Sequence, residues 1–180
     1  DDYKNIVYER IGVKKYIPAA GNLESRMKLR KNLKCHSFEW YLKNVATHIR
    51  VPGPTSTMRN AHTNKCLDVA ENKNSGKYVL IFNCHNHGGN QKAFEILREG
   101  TIIYDELCLD LSKKDPGTKP TFYSCHSMGG NQQWIFLEGN LISHSVTNLC
   151  LKIDPKSKYL STDICNANDP LQQFQFNYSE

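Results

Sequence analysis

No stretch of this 180-residue chain approaches the ~20 consecutive apolar residues that a membrane-spanning helix needs. Its opening residues, Asp1-Asp2-Tyr3-Lys4, offer no apolar signal core and no initiator methionine, so the chain is expected to begin inside a longer protein. Also missing is the basic stripe interleaved with aromatics that marks a nucleic-acid binder. The net charge of +5 is concentrated near the start: residues 1–50 carry eleven Lys/Arg against five Asp/Glu, and residues 51–180 carry twelve against thirteen. Most of that excess sits in Arg26, Lys28, Arg30, Lys31 and Lys34, and reads as the solvated face of one helix. Ser124, Ser127 and Ser161 belong to no recognisable nucleophile motif.

The chain is not short of cysteine. Seven cysteines, at 35, 66, 84, 108, 125, 150 and 165, point to an oxidising compartment, and an odd number leaves at least one without a partner in the chain. Six of them follow a period. Cys66-Leu67-Asp68 recurs as Cys108-Leu109-Asp110 and as Cys150-Leu151-Lys152, in steps of 42 residues. A second cysteine follows in each unit, and a glutamine (Gln91, Gln132, Gln172) lies seven residues beyond it. The simplest pairing is within units: Cys66–Cys84, Cys108–Cys125 and Cys150–Cys165, with Cys35 left over. Each closed loop is worth ~3 kcal/mol in the chain-entropy model.

Residues 1–50 read as helical. Ser37 can cap a helix carrying Phe38, Tyr41, Leu42 and Val45 on one face, and Asn22 can cap another from Leu23 to Leu33. Neither helix can bury its apolar face alone. Val51-Pro52-Gly53-Pro54-Thr55-Ser56 is a connector by composition. From 57 onward, short apolar runs alternate with Asn/Gly/Lys/Pro turns in repeats of about 57–99, 100–139 and 140–180. Three such units are too few for a propeller and lack solenoid caps, so a closed, mainly β, threefold barrel is expected.

Two units share a polar set. The first has Asp68, Phe82, His85 and Asn90; the second has Asp110, Tyr123, His126 and Asn131. A carboxylate accepts hydrogen bonds from adjacent sugar hydroxyls, an amide both donates and accepts, and a flat ring packs on the C–H face of a galactose-type hexose. The third unit keeps its cysteines, Gln172 and Phe174 but has Lys152, Asp163 and Leu171 at the polar positions, so its pocket is expected not to bind sugar. His85, His87 and His126 fit no Cys/His zinc spacing, and one carboxylate per unit is too few for glycoside hydrolysis.

Gly129-Gly130-Asn131-Gln132-Gln133-Trp134, with the Cys-Leu-Asp repeats, resembles the ricin-type β-trefoil. Leu29-Arg30-Lys31-Asn32-Leu33-Lys34-Cys35 and Ser37-Phe38-Glu39-Trp40-Tyr41-Leu42 resemble the end of the catalytic domain of polypeptide N-acetylgalactosaminyltransferases. The resemblance implies a C-terminal fragment of a Golgi type II membrane enzyme that transfers GalNAc from UDP-GalNAc to Ser/Thr of mucin-like proteins using Mn2+. The nucleotide and metal residues then lie upstream, so this segment has no catalytic residue, metal site or cofactor of its own and no membrane contact. Its partners would be GalNAc-bearing glycopeptides and the missing catalytic domain, with which Cys35 would pair. The family's sugar-binding aspartate, aromatic and asparagine fall on Asp68, Phe82 and Asn90 and on Asp110, Tyr123 and Asn131. The first unit departs in having Phe94 three residues after its glutamine where the family has an aromatic two after, which favours the second pocket. Competing readings are a stand-alone ricin-type lectin, a trefoil serving only protein interaction, and a catalytically active fragment. Asn177-Tyr178-Ser179 is a glycosylation sequon.

Overall fold

The computed structural model describes residue 3 and residues 21–49, 55–69, 75–85, 89–91, 94–96 and 99–178. Two short helices come first, α1 (Glu24–Asn32) and α2 (Phe38–Asn44). Ser37 caps α2 as expected, its side chain accepting the Trp40 amide at 3.1 Å. At α1 the cap position belongs to Leu23, one residue later than expected. Asn22 still accepts the Glu24 amide at 2.8 Å, in the i to i+2 geometry of an Asx turn. The apolar faces are open: no residue of α1 is buried, Met27 is 69% and Leu33 63% exposed, and Leu42 is the one buried residue of α2. The basic residues of α1 are exposed, as a solvated face requires.

Strand β1 opens at Ser56, and Thr55 and Ser56 are both buried. The last two residues assigned to the connector therefore belong to the β body, while 51–54 lie outside the described residues. The first lobe contains β1 (Ser56–Asn60), β2 (Lys65–Asp68), the two-residue β3 (Lys77–Tyr78), β4 (Leu80–Asn83) and β5 (Phe94–Ile96). The second contains β6 (Ile102–Tyr104), β7 (Leu107–Asp110), β8 (Thr121–Ser124) and β9 (Trp134–Leu137). The third contains β10 (Leu141–His144), β11 (Leu149–Ile153), β12 (Leu160–Ile164) and β13 (Phe174–Tyr178). Each lobe thus supplies four principal strands, the middle two forming an antiparallel hairpin (β2–β4, β7–β8, β11–β12).

The outer strands pair across lobe boundaries: β5 with β6, β9 with β10, and β13 with β1. The last pair runs from Ser56 opposite Tyr178 to Asn60 opposite Phe174, so the final strand closes the barrel on the first. Closure leaves the strand edges of the barrel paired. Alternation then sorts the side chains. Met58, Phe94, Ile102, Trp134, Ile142 and Phe174 fill the barrel, and Leu67, Ile81, Leu109, Phe122, Leu151 and Leu160 add the inner faces of the hairpins. Trp134 buries its ring there and satisfies its N–H by donating to the Leu109 carbonyl at 2.9 Å. Phe94 sits opposite Tyr104 as Trp134 sits opposite His144, so the extra residue after Gln91 is absorbed before the strand begins.

Three disulfides, Cys66–Cys84, Cys108–Cys125 and Cys150–Cys165, staple the hairpins, and Cys35 is exposed and unpaired.

Gly100 marks the closest backbone approach. It has φ +84°, its carbonyl accepts the Trp134 amide at 2.8 Å, and a Cβ placed there would stand 2.0 Å from the Trp134 oxygen. Gly100→Ala is expected to destabilise the chain by roughly 2–4 kcal/mol, from left-handed strain and overpacking together. Urea unfolding checks this; a midpoint unchanged from wild type would contradict the packing described.

Candidate functional site

Residues paired across an antiparallel ladder share a face. In the first hairpin Cys66 faces Phe82, and Asp68 faces Leu80. In the second, Cys108 faces Tyr123, and Asp110 faces Thr121. The aspartate and the aromatic of each lobe therefore stand on one side of the hairpin, opposite the side that carries Leu67 and Ile81 or Leu109 and Phe122 into the core. Both rings are about half exposed, Phe82 at 46% and Tyr123 at 53%, whereas Asp68 and Asp110 are buried.

What keeps a carboxylate buried is the glutamine. Gln91 Nε2 donates to Asp68 Oδ2 at 2.9 Å and to the Asn83 carbonyl at 3.1 Å, and its Oε1 accepts the His85 amide at 3.1 Å. Gln132 repeats the pattern: Nε2 donates to Asp110 Oδ2 at 3.1 Å and to the Ser124 carbonyl at 3.0 Å, and Oε1 accepts the His126 amide at 3.2 Å. Each glutamine sits on a 3-10 turn, Gly89–Gln91 or Gly130–Gln132, that also carries the pocket asparagine. The turn is tied to the residue after the aspartate by Val69 N–H to the Asn90 carbonyl at 3.4 Å and Leu111 N–H to the Asn131 carbonyl at 2.9 Å. The sequence marks these glutamines as framework; their grip on the carboxylates was missed. The constant seven-residue offset from the second cysteine was the available signal.

In the first lobe Asp68, Phe82, His85 and Asn90 line one cavity of about 470 Å³, together with Lys65, Ile81, Asn83 and Gln91. Lys65 and Asn83, joined at 2.8 Å, are rim residues that the repeat did not reveal. In the second lobe Asp110, Tyr123, His126 and Asn131 are related by the same register and the same hydrogen bonds, and His126 Nδ1 accepts the Met128 amide at 3.1 Å. A cavity of about 410 Å³ nearby is lined by Glu99, Asp105, Glu106, Gln132 and the Cys108–Cys125 staple, and by none of those four. The first lobe's set lines one cavity; the second lobe's set shares its register and hydrogen bonds.

The third lobe is wired differently. Gln172 Oε1 accepts the Asn166 amide and Nε2 donates to the Ile164 carbonyl, both at 2.9 Å, but Lys152 replaces the aspartate. Asp163 faces Cys150, the place of the aromatic in the other lobes. Lys152 Nζ lies 2.9 Å from Asp163 Oδ2 and 3.0 Å from Asp169 Oδ2, closing an internal triad where the other lobes carry the aspartate and the aromatic. Hydrogen bonds to Asp163 and then to Asp169 hold the Lys152 pKa above its ordinary value. The bond from Lys152 lowers that of Asp163. Burial pushes Asp169 up, but the Leu171 amide and Lys152 outweigh it and leave it lowered.

Among the described residues no group of three or more His, Cys, Asp or Glu side chains is placed to hold a metal ion. His87 lies outside them. None of the described helices is long and apolar enough to cross a membrane.

Depressed carboxylate pKa values stabilise the fold above their unfolded value, 3.8, and that contribution is lost as pH falls through the lowered native values. Lys152→Met is therefore expected to flatten the acid limb of the stability profile below about pH 4. Urea unfolding across pH measures this; identical acid limbs would contradict the triad.

Comparison with known proteins matches the geometry. A model described as the ricin-type beta-trefoil lectin domain matches residues 54–174. Polypeptide N-acetylgalactosaminyltransferase 6 of Mus musculus is 35% identical over 188 aligned residues, covering 98% of this chain and 30% of that protein. The chain thus spans less than a third of that relative. A crystal structure of GalNAc-T7 with UDP, GalNAc and Mn2+ superposes with a TM-score of 0.70 at 22% identity, over 98% of this chain and 33% of that one. The agglutinin from Abrus precatorius gives a TM-score of 0.61 at 20% identity, over 71% of this chain and 51% of that one. Three disulfide-stapled lobes, a barrel closed by its first and last strands and a family match across most of its length together mean that the chain belongs to the ricin-type beta-trefoil lectin domain family.

Proposed function

We propose that the first two lobes each bind one GalNAc- or galactose-type sugar, and that the chain is the lectin-bearing end of a polypeptide GalNAc-transferase. The observation that carries this reading is the first-lobe cavity, where Asp68, Phe82, His85 and Asn90 converge. Asp68 is held by Gln91 through Oδ2, and its carboxylate is assigned to two neighbouring sugar hydroxyls. The Asn90 amide completes the hydroxyl contacts and the Phe82 ring takes the apolar face of the hexose. The second lobe repeats this with Asp110, Tyr123, Asn131 and His126. The third does not bind, because Lys152 already engages Asp163 and Asp169.

Such a pocket makes few contacts. A millimolar Kd corresponds to only about −4 kcal/mol, and a tether makes it useful, because a connector such as 51–54 sets an effective concentration of order millimolar. The module would hold GalNAc already present on a mucin-like glycopeptide and direct an attached transferase to further Ser/Thr sites, in the Golgi lumen. The open apolar faces of α1 and α2 support an upstream domain packed against them, with Cys35 pairing there. A stand-alone lectin would not need those helices. Mn2+ and UDP-GalNAc belong to the proposed upstream domain. Catalysis is assigned to that upstream part, in keeping with the chain spanning 30% of its transferase relative.

Titrating the 180-residue chain with GalNAc while following amide shifts tests the assignment. Responses are expected around Asp68 and Asp110 and not around Lys152. Asp68→Ala and Asp110→Ala should each weaken their own pocket about tenfold or more, since hydrogen bonds to a charged group are lost, with little change in melting temperature. A silent spectrum in both lobes, or wholesale unfolding on either substitution, would assign the aspartates to the framework instead.

A further inference from the structure

At two lobe junctions the pocket turn is backed by the first strand of the next lobe. Register establishes the equivalence: Asn60 on β1 stands opposite Phe174, His144 on β10 opposite Trp134, and Tyr104 on β6 opposite Phe94. At the junction of the third and first lobes, Asn60 Nδ2 donates to the Pro170 carbonyl at 2.8 Å and to the Gln173 carbonyl at 2.9 Å. Pro170 opens the third 3-10 turn and Gln173 directly follows it. The Ala61 amide adds a bond to the same Gln173 carbonyl at 2.8 Å. At the junction of the second and third lobes the Ser145 amide donates to the Gln133 carbonyl at 3.0 Å, and His144 stands where Asn60 stood.

His144 is fully buried. Its ring lies 5.0 Å from that of Trp134, and its Nδ1 is 3.0 Å from Thr147 Oγ1. Its Nε2 is buried without a hydrogen-bond partner of ordinary geometry. The carbonyls of Asn131 and Gly130, in the second pocket's turn, neighbour the ring, and the Asp110 carboxylate acts on it through space. A buried polar atom left open costs free energy, so its persistence needs a cause.

We propose that His144 is the positioning residue of the second sugar pocket, holding the Gly130–Gln132 turn, and with it Asn131, as Asn60 holds the third turn. This rests on the sugar-binding reading of that lobe. The Thr147 hydroxyl is taken as donor to Nδ1, so that the neutral ring carries its proton on Nε2, toward the two carbonyls. A small inward shift of the turn when sugar engages Asn131 closes that bond. The site is then stiffer when occupied, and the third lobe, whose turn is already bonded by Asn60, has no such slack.

The arrangement also makes the second pocket sensitive to pH. Burial lowers the pKa of His144 from its ordinary 6.5, against the opposing pull of the Asn131 carbonyl, Asp110 and the Gly130 carbonyl. The neutral ring's contribution is full above 6.5 and is lost as pH falls below it toward the lowered native value. Asp110, on β7, is the charged group whose field reaches it; Trp134 on β9 and Thr147 after β10 carry none, and His126 is the other imidazole of the pocket. The first pocket has Tyr104 in the equivalent place and lacks this dependence.

The test is a GalNAc titration of the full chain, read separately at the amides around Asp68 and Asp110, for wild type, His144→Phe and His144→Asn. His144→Phe should weaken the second pocket about five- to tenfold, the worth of one buried hydrogen bond, and leave the first unchanged. His144→Asn copies the Asn60 junction and should restore affinity. Wild-type affinity at the second pocket should hold above pH 6.5 and fall as pH drops below it, and that of His144→Asn, which retains His126, should fall less. If His144→Phe does not fold, the pH profiles of the other two proteins decide. Exchange of the Leu111 amide, bonded to the Asn131 carbonyl, should quicken in His144→Phe and recover in His144→Asn. Equal affinities and equal pH profiles at the second pocket, with sugar still bound there, overturn the role of His144 and leave the lectin reading standing. No wild-type response at Asp110 overturns both.

Discussion

A single buried amide in each lobe holds together parts of the chain that have no other reason to meet. Gln91, Gln132 and Gln172 each bond a carbonyl at the end of the hairpin's second strand and accept an amide two residues further on. That fixes the 3-10 turn against the hairpin. In two lobes the same amide also reaches the aspartate, so the bond that shapes the fold and the bond that aims the carboxylate come from one side chain. A carboxylate is costly to bury unless hydrogen-bonded, and this donor lets Asp68 and Asp110 sit low in the surface without becoming liabilities.

Separating frame from pocket lets one architecture host different lobes. The barrel needs Phe94, Trp134 and Phe174 inside, the three staples, and the glutamines. It is indifferent to what the outer face of each hairpin presents. In the third lobe the aspartate has become Lys152 and the aromatic Asp163, and the two form an ion pair within the protein. Closure of β13 on β1 is unaffected, because the glutamine bonds that matter for the turn go to backbone.

Much of this was legible in the residues because the repeat displays each element three times. The 42-residue period gave the lobes and cysteine pairs, and Ser37 marked the start of α2 by its own chemistry. What could not be read were relations across lobe boundaries. That Asn60 secures the third turn, and that His144 replaces it at the second, depends on the pairing of outer strands from different repeats, which no local spacing encodes. Where the extra residue after Gln91 is absorbed could not be read from spacing either. Strand register restores Phe94 to the core, and the first lobe forms a cavity from its predicted set. The cap of α1 fell one residue late because Asn22 satisfies an Asx turn as readily as a helix end.

The account stands or falls on where a sugar sits relative to the glutamine-held carboxylates. A crystal structure of the chain soaked with GalNAc addresses this directly. Density is predicted in the first two lobes, with adjacent hydroxyls on the aspartate and the ring stacked on Phe82 or Tyr123, and with the Lys152 triad intact and bare. Sugar resting on Lys152, or found only away from both aspartates, would contradict it.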